Sequence, residues 1–264
     1  LALGSEESAT RRLNFAQSFN PVGSVAGIII CQVFIMARLP FDDEGRLSMA
    51  PAEVPAALST VIAPYLAIAA ILVVVWFLIL ATKMPLAAEK DDKVPFAAAA
   101  RRLLRNRFYL FAVFVQFCYV GLQITVWTYT NFYIPEQIGV SQKVALQYHT
   151  AALVLFGLSR WVFTGLMNYF RAATLLALAA LAGVLLCLVV VFVGGMPGVV
   201  AVVALSGCMS LMFPTIFGLG CSVVREDTKL ASSGMIMAII GGALITPAQG
   251  ALLATPGRVV VVAV

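Results

Sequence analysis

The side chains best suited to specific chemistry in this chain are uncharged amides set inside apolar sequence. Within residues 13–27, Leu-Asn-Phe-Ala-Gln-Ser-Phe-Asn-Pro-Val-Gly-Ser-Val-Ala-Gly, the residues Gln17, Asn20, Ser24 and Gly27 share one face at helical period. A second face carries Gln116, Tyr119, Gln123, Trp127 and Thr130 at spacings of 3, 4, 4 and 3 residues. An amide facing lipid without a partner is costly, so both faces must look at protein or water. Amides both donate and accept hydrogen bonds. Set beside a flat aromatic ring, they match the needs of a hydroxyl-rich solute such as a sugar. For the first face an interhelical hydrogen-bond clamp explains the residues equally well. For the second, Trp127, Tyr129 and Tyr133 also fit an interfacial aromatic belt, a reading that leaves Gln116 and Gln123 unexplained because they lie deeper.

Prolines add free backbone acceptors to the same regions. Pro21 cannot donate to the carbonyl of Gln17, and Pro214 withholds a donor from the carbonyl of Ser210. Pro247, following Gly241 and Gly242, marks a flexing or close-packing point. Such interruptions occur where helices line a cavity, and equally in ordinary membrane-helix kinks. Gly23 and Gly27 form a small-xxx-small pair that would admit a close neighbouring helix.

The elements that must position these residues follow from composition. Hydrophobic residues make up 62% of the 264, charged residues 11%, and mean hydropathy is +1.00. That balance belongs to an all-α, polytopic membrane protein, with no signal peptide needed or seen. About seven transmembrane helices are expected, near residues 13–39, 56–81, 108–133, 144–169, 173–193, 199–224 and 230–253. The net charge of +5 is a topology signal, with basic residues clustered between spans, and no nucleic-acid partner is expected. The connector 82–107 holds Lys83, Lys90, Lys93, Arg101, Arg102, Arg105 and Arg107 and is placed in the cytoplasm. Its part 96–107 is expected as an amphipathic surface helix. Arg11, Arg12, Arg171, Arg225 and Lys229 then fall on the cytoplasmic side as well, and the acidic loop 40–55 is external. The five cysteines, Cys31, Cys118, Cys187, Cys208 and Cys221, lack metal-ligand spacing and read as free, buried thiols.

The entries to the first and last spans resemble one another: Glu6-Glu7-Ser8-Ala9-Thr10-Arg11-Arg12-Leu13 and Arg225-Glu226-Asp227-Thr228-Lys229-Leu230, each leading to a mid-helix proline. This faint repeat fits two similar six-helix halves. The expected division is 1–81 as the last two helices of the N-terminal bundle, 82–107 as connector, and 108–264 as most of the C-terminal bundle. The first residue is Leu1 rather than Met, and a fragment or processed chain is expected.

Three motifs carry a family likeness. Arg11–Ser24, Gln116–Trp127 (Gln-Phe-Cys-Tyr-Val-Gly-Leu-Gln-Ile-Thr-Val-Trp) and Met212–Gly220 (Met-Phe-Pro-Thr-Ile-Phe-Gly-Leu-Gly) resemble the L-fucose permease-type sugar–proton symporters of the major facilitator superfamily. The segment 226–233 and the later Gly241-Gly242 and Thr246-Pro247 are similar too. The resemblance implies an incomplete major facilitator fold beginning before its fifth helix. It implies transport of a monosaccharide, fucose or a related hexose, coupled to protons by alternating access. By resemblance, Gln17 and Asn20 sit where members contact sugar, and Gln116, Gln123, Trp127 and Phe213 line the same central cavity. The family's coupling carboxylates lie in helices that precede Leu1, and every Asp and Glu present lies in a loop or at a span end. His149 is the one histidine, placed in the first turns of its span and read chiefly as structural. Arg160 is expected to anchor cytoplasmic loops or a gate. After Gly250 the likeness fades, and 254–264 is too short for another span. The expected partners are a monosaccharide, protons and the lipid bilayer, with the protein acting as a monomer in the plasma (inner) membrane, without a cofactor. A truncated, non-transporting remnant or membrane scaffold is the alternative. No nucleophile–base pair or phosphate-cradling loop suggests an enzyme.

Overall fold

The computed structural model describes residues 8–30, 33–34, 54–82, 96–224 and 227–253. The acidic loop, most of the first part of the basic connector, Arg225 and the tail 254–264 lie outside them. The described residues form helices alone: α1 (Ala9–Gln17), α2 (Asn20–Ile30), α3 (Val54–Ala81), α4 (Phe96–Arg105), α5 (Arg107–Ile138), α6 (Gln142–Leu166), α7 (Ala172–Phe192), α8 (Gly195–Met209), α9 (Met212–Ser222), α10 (Thr228–Met237) and α11 (Ile240–Leu253). Five stretches among them are long and apolar enough to cross a membrane: 57–81, 107–138, 172–192, 195–222 and 228–252. They coincide with five of the seven expected spans. The fourth expected span is the 25-residue helix α6, and the first is followed as helix only to Ile30.

The chain divides into two compact units, 22–91 and the remainder. The smaller unit contains most of α2 together with α3. Helix α3 is apolar all round, with mean hydropathy 2.7 over its most apolar 18 residues, as suits a helix surrounded by hydrocarbon. No Cβ built on Gly23 or Gly27 meets an atom within 4 Å, so the expected close approach at this pair is absent among the described residues.

In the larger unit α5 is the central post, packing on α6, α8, α9 and α11; α8 also meets α6 and α7, and α1 packs on α9 and α6. Its start is fixed by Asn106, whose side-chain oxygen accepts from the Phe108 and Tyr109 amides, each at 3.1 Å. Its end is fixed by Gly139 at φ 65°, whose amide donates to the Pro135 carbonyl at 2.9 Å. The helix therefore runs five residues beyond its expected limit of 133, with Pro135 inside it. Gly194 and Gly195, at φ 62° and 55°, turn α7 into α8, and the Gly195 amide donates to Gln137 Oε1 at 2.8 Å.

Tyrosine hydroxyls stitch the unit internally. Tyr109 donates to the Ala231 carbonyl at 2.9 Å, Tyr129 to Thr246 at 3.1 Å and Tyr133 to Val190 at 3.1 Å. Tyr133 is 2% exposed, so it is an interior anchor, and the belt expectation is corrected for it. A buried phenol must find an acceptor, and the second lone pair of a helix carbonyl supplies one. The close packing expected around Gly241 is present, since a Cβ there would stand 2.0 Å from the Phe117 carbonyl oxygen of α5.

The amphipathic helix expected at 96–107 is α4, which buries Ala99 and Leu103. Arg102 on its polar side grips Asp227 with two bonds, Nε to Oδ2 at 2.9 Å and Nη2 to Oδ1 at 2.6 Å. That pairing holds the Asp227 carboxyl below the usual aspartate range. Cys118, Cys187, Cys208 and Cys221 are free thiols, but only Cys221 is buried and Cys118 is exposed, which corrects the expectation of uniform burial.

Candidate functional site

The first span is interrupted where its proline demands it. Helix α1 stops at Gln17, the Ser18 amide turns back to Phe15 at 3.0 Å, and α2 resumes at Asn20 with Pro21 in its first turn. The sixth span is interrupted likewise: α8 stops at Met209 and α9 resumes at Met212 with Pro214 in its first turn. Each proline leaves unpaired the carbonyl four residues before it, Gln17 and Ser210. Both are taken by one residue of α6. Arg160 donates from Nε to the Ser210 carbonyl at 2.6 Å and from Nη1 to the Gln17 carbonyl at 3.0 Å. It is 4% exposed, and its guanidinium lies 4.6 Å from the Phe156 ring centroid.

A polar network surrounds this point. Asn14 Nδ2 donates to the Thr10 carbonyl at 2.9 Å and to Thr215 Oγ1 at 3.2 Å. Ser18 Oγ donates to the Asn14 carbonyl at 2.8 Å and lies 3.4 Å from Thr164 Oγ1, which donates to the Arg160 carbonyl at 2.7 Å. Tyr119 donates to the Met209 carbonyl at 2.8 Å, beside the α8–α9 break. The interhelical clamp anticipated for span one thus exists, but it is made by Asn14 and Ser18, on the face next to the one singled out.

The candidate residues fall into two groups. Gln17 is half-buried and joined through its backbone to Arg160. Trp127 is half-buried, donates to Ser206 Oγ at 3.3 Å, and meets Phe156 edge-on at 5.1 Å. Phe213 is half-buried, three residues past Ser210, and stacks with Phe217 at 6.4 Å. Gln17 thus joins Arg160 through its backbone and Trp127 packs on Phe156, whereas Phe213 is linked to this point only through the helix break at Ser210. Asn20 is exposed and Gln123 half-buried, and among the described residues no hydrogen bond engages either side chain. Gln116 is fully buried, with neither polar atom of its amide bonded to protein. Thr130 donates to the Val126 carbonyl of its own helix at 2.6 Å and adds nothing to the face. His149 is half-buried, and its Nδ1 is buried without a hydrogen-bond partner.

Sequence reasoning missed Asn14, Thr164, Ser206 and Thr215, and the bridging role of Arg160. The signal was present in part, since one intramembrane arginine and two proline-freed carbonyls are complementary. Chemically, the arrangement offers donors and acceptors that protein leaves unused, beside aromatic rings, on helices locally broken and internally braced. It suits recognition of a polar, uncharged solute better than bond chemistry.

No family model matches the chain. It is 36% identical to the L-fucose-proton symporter of Haemophilus influenzae over 96% of this chain and 61% of that protein. The same identity relates it to the L-fucose-proton symporter of Escherichia coli, over 97% and 61%. The glucose/galactose transporter of Brucella abortus is 28% identical over 95% and 58%. A crystal structure of the major facilitator superfamily transporter FucP in the outward conformation superposes with a TM-score of 0.86, at 36% identity, covering 99% of this chain and 65% of that one. The chain therefore spans about three-fifths of the length of the curated relatives it matches. It is therefore a multi-pass membrane protein with an incomplete major facilitator superfamily fold, similar in sequence to the L-fucose-proton symporters.

Proposed function

We propose that the chain forms part of a secondary transporter that carries a monosaccharide, fucose or a related hexose, together with protons across the plasma (inner) membrane. Transport proceeds by alternating access, with residues 1–81 in one bundle, 82–107 as the cytoplasmic connector and 108–264 in the other. Gln17, Asn20, Gln116, Gln123, Trp127 and Phe213 contact the sugar from these two sides, and the working unit is a monomer. The observation that carries this is the contrast between neighbours on α1 and α2. Asn14 and Ser18 are engaged by other residues, whereas among the described residues the side chains of Gln17 and Asn20 bond to none. Polar groups in a membrane protein that the fold does not use are free for a solute.

The test is sugar-driven proton uptake in vesicles bearing the complete gene product, across a panel of hexoses. Gln17→Ala or Asn20→Ala is expected to lower uptake by roughly 5- to 150-fold at subsaturating sugar, with expression retained. One hydrogen bond to a solute hydroxyl, with its partner left unpaired, accounts for about 1–3 kcal/mol. Unchanged uptake in both variants removes the site assignment, and an inactive complete product supports the remnant alternative instead.

A further inference from the structure

We propose that Arg160 is a positioning residue for transport. Its guanidinium stands in for the two backbone donors that Pro21 and Pro214 withhold, and so sets where the sugar-facing parts of three helices lie.

The geometry is specific. A buried helix carbonyl without a donor is costly, and two such carbonyls sit on different helices, at Gln17 and at Ser210. A single planar group reaches both, through different nitrogens, at 3.0 and 2.6 Å. Guanidinium spreads its donors over a rigid fork, which an ammonium does not. Its central carbon lies over the Phe156 ring, which in turn abuts Trp127. Gln17 is therefore held through its own backbone, Phe213 through the helix break three residues before it, and Trp127 through the ring against which it packs.

Among the described residues no carboxylate forms an ion pair with Arg160, which instead meets the two carbonyls and the ring. A cation neutralised by carbonyl dipoles at two helix ends is a structural joint, because its bonds disappear if either break closes or shifts. Interrupted helices would otherwise be free to straighten or slide, and the solute groups they carry would move with them.

This inference rests on the sugar-site reading, and the test separates the two. The complete gene product is reconstituted, and L-fucose-driven proton uptake yields the half-saturating L-fucose concentration and the maximal rate. The variants are Arg160→Gln and Arg160→Lys, each with and without Pro21→Ala, alongside Pro21→Ala and Gln17→Ala alone. Arg160→Gln is expected to raise half-saturation at least tenfold, and Arg160→Lys by less. Pro21→Ala returns an amide donor to the Gln17 carbonyl, so adding it should recover at least threefold of the loss. Should Arg160→Gln fail to accumulate, the same recovery is read in the Arg160→Lys background. Parental half-saturation in the arginine variants, or no recovery with Pro21→Ala, overturns the proposal while an impaired Gln17→Ala keeps the sugar site. A parental Gln17→Ala removes the sugar-site reading itself.

Discussion

Replacing Gly241 by alanine tests the packing on which the central helix depends. The added methyl would stand 2.0 Å from the Phe117 carbonyl oxygen and 2.8 Å from its carbon. Ordinary van der Waals contact begins near 3.4 Å, so α11 must retreat from α5 by about 1.4 Å (3.4 less 2.0). Both obstructing atoms are backbone, and no side-chain rotation relieves them. Overpacking of this kind costs about 1–3 kcal/mol, and the upper end applies where the backbone itself must move. The better helix propensity of alanine returns up to ~1 kcal/mol. A net loss of about 2 kcal/mol remains, which for a chain of this size corresponds to a fall in Tm of roughly 4–8 °C. The assay is thermal unfolding of the detergent-solubilised protein, followed by labelling of the buried thiol of Cys221, which is 1% exposed. Gly165→Ala is the control, since nothing lies within 4 Å of its built Cβ, and it should leave Tm unchanged or slightly raised. Equal melting of Gly241→Ala and the parent would refute the close α5–α11 contact.

Two further substitutions probe the ends of elements. Asp227→Asn should lower stability by up to ~1 kcal/mol, and less at high salt, because the Arg102 side chain is 46% exposed. The folded-state pKa of Asp227 is depressed below 3.8, so its contribution is fully present above that pH and is lost as the pH falls through the folded value; in chemical unfolding curves the difference between parent and variant should persist down to pH 3.8 and vanish only below the folded value. Gly139→Ala should cost about 1–2 kcal/mol, through the left-handed backbone at φ 65° alone, since nothing lies within 4 Å of the built Cβ. The same substitution at Gly165 carries no such cost, and parental melting of Gly139→Ala would contradict the cap.

Much of the scaffold was legible because hydrocarbon imposes one strong rule: backbone polar groups must be paired within the segment. Apolar runs of sufficient length therefore announce helices, and α3, α5, α7 and the α8–α9 and α10–α11 pairs lie where length and hydropathy put them. The surface helix α4 was readable from its alternation of alanine and leucine with arginine. Prolines were equally informative, since Pro21 and Pro214 lie just past breaks at residues 18–19 and 210–211. Aromatic roles were less legible. A tyrosine near a span end looks the same in sequence whether it faces the headgroups or, like Tyr133, reaches inward to a carbonyl on another helix.

The candidate site was visible as residue types and faces, and much less so as partnerships. Helical period put Gln17 and Asn20 on one stripe, but the turn at 18–19 breaks the period between them. The packing of α1 on α6 and α9 then selected Asn14 and Ser18 for the interior. Gln116 and Gln123 lie two turns apart on one face, yet the first is fully buried and the second half-exposed, because neighbouring helices cover α5 unequally along its length.

What the amino acids determine by themselves is therefore local: which segments are helical, where a proline opens the ladder, and which carbonyl is left without a donor. Those outcomes depend on residues within about one turn of one another, and they hold wherever the helix is placed. Which donor closes each gap is decided only when helices distant in sequence meet. Arg160 lies 143 residues from Gln17 and 50 from Ser210, and no local rule connects them. A buried arginine and two stranded carbonyls find one another because, inside a membrane, neither can be left to water.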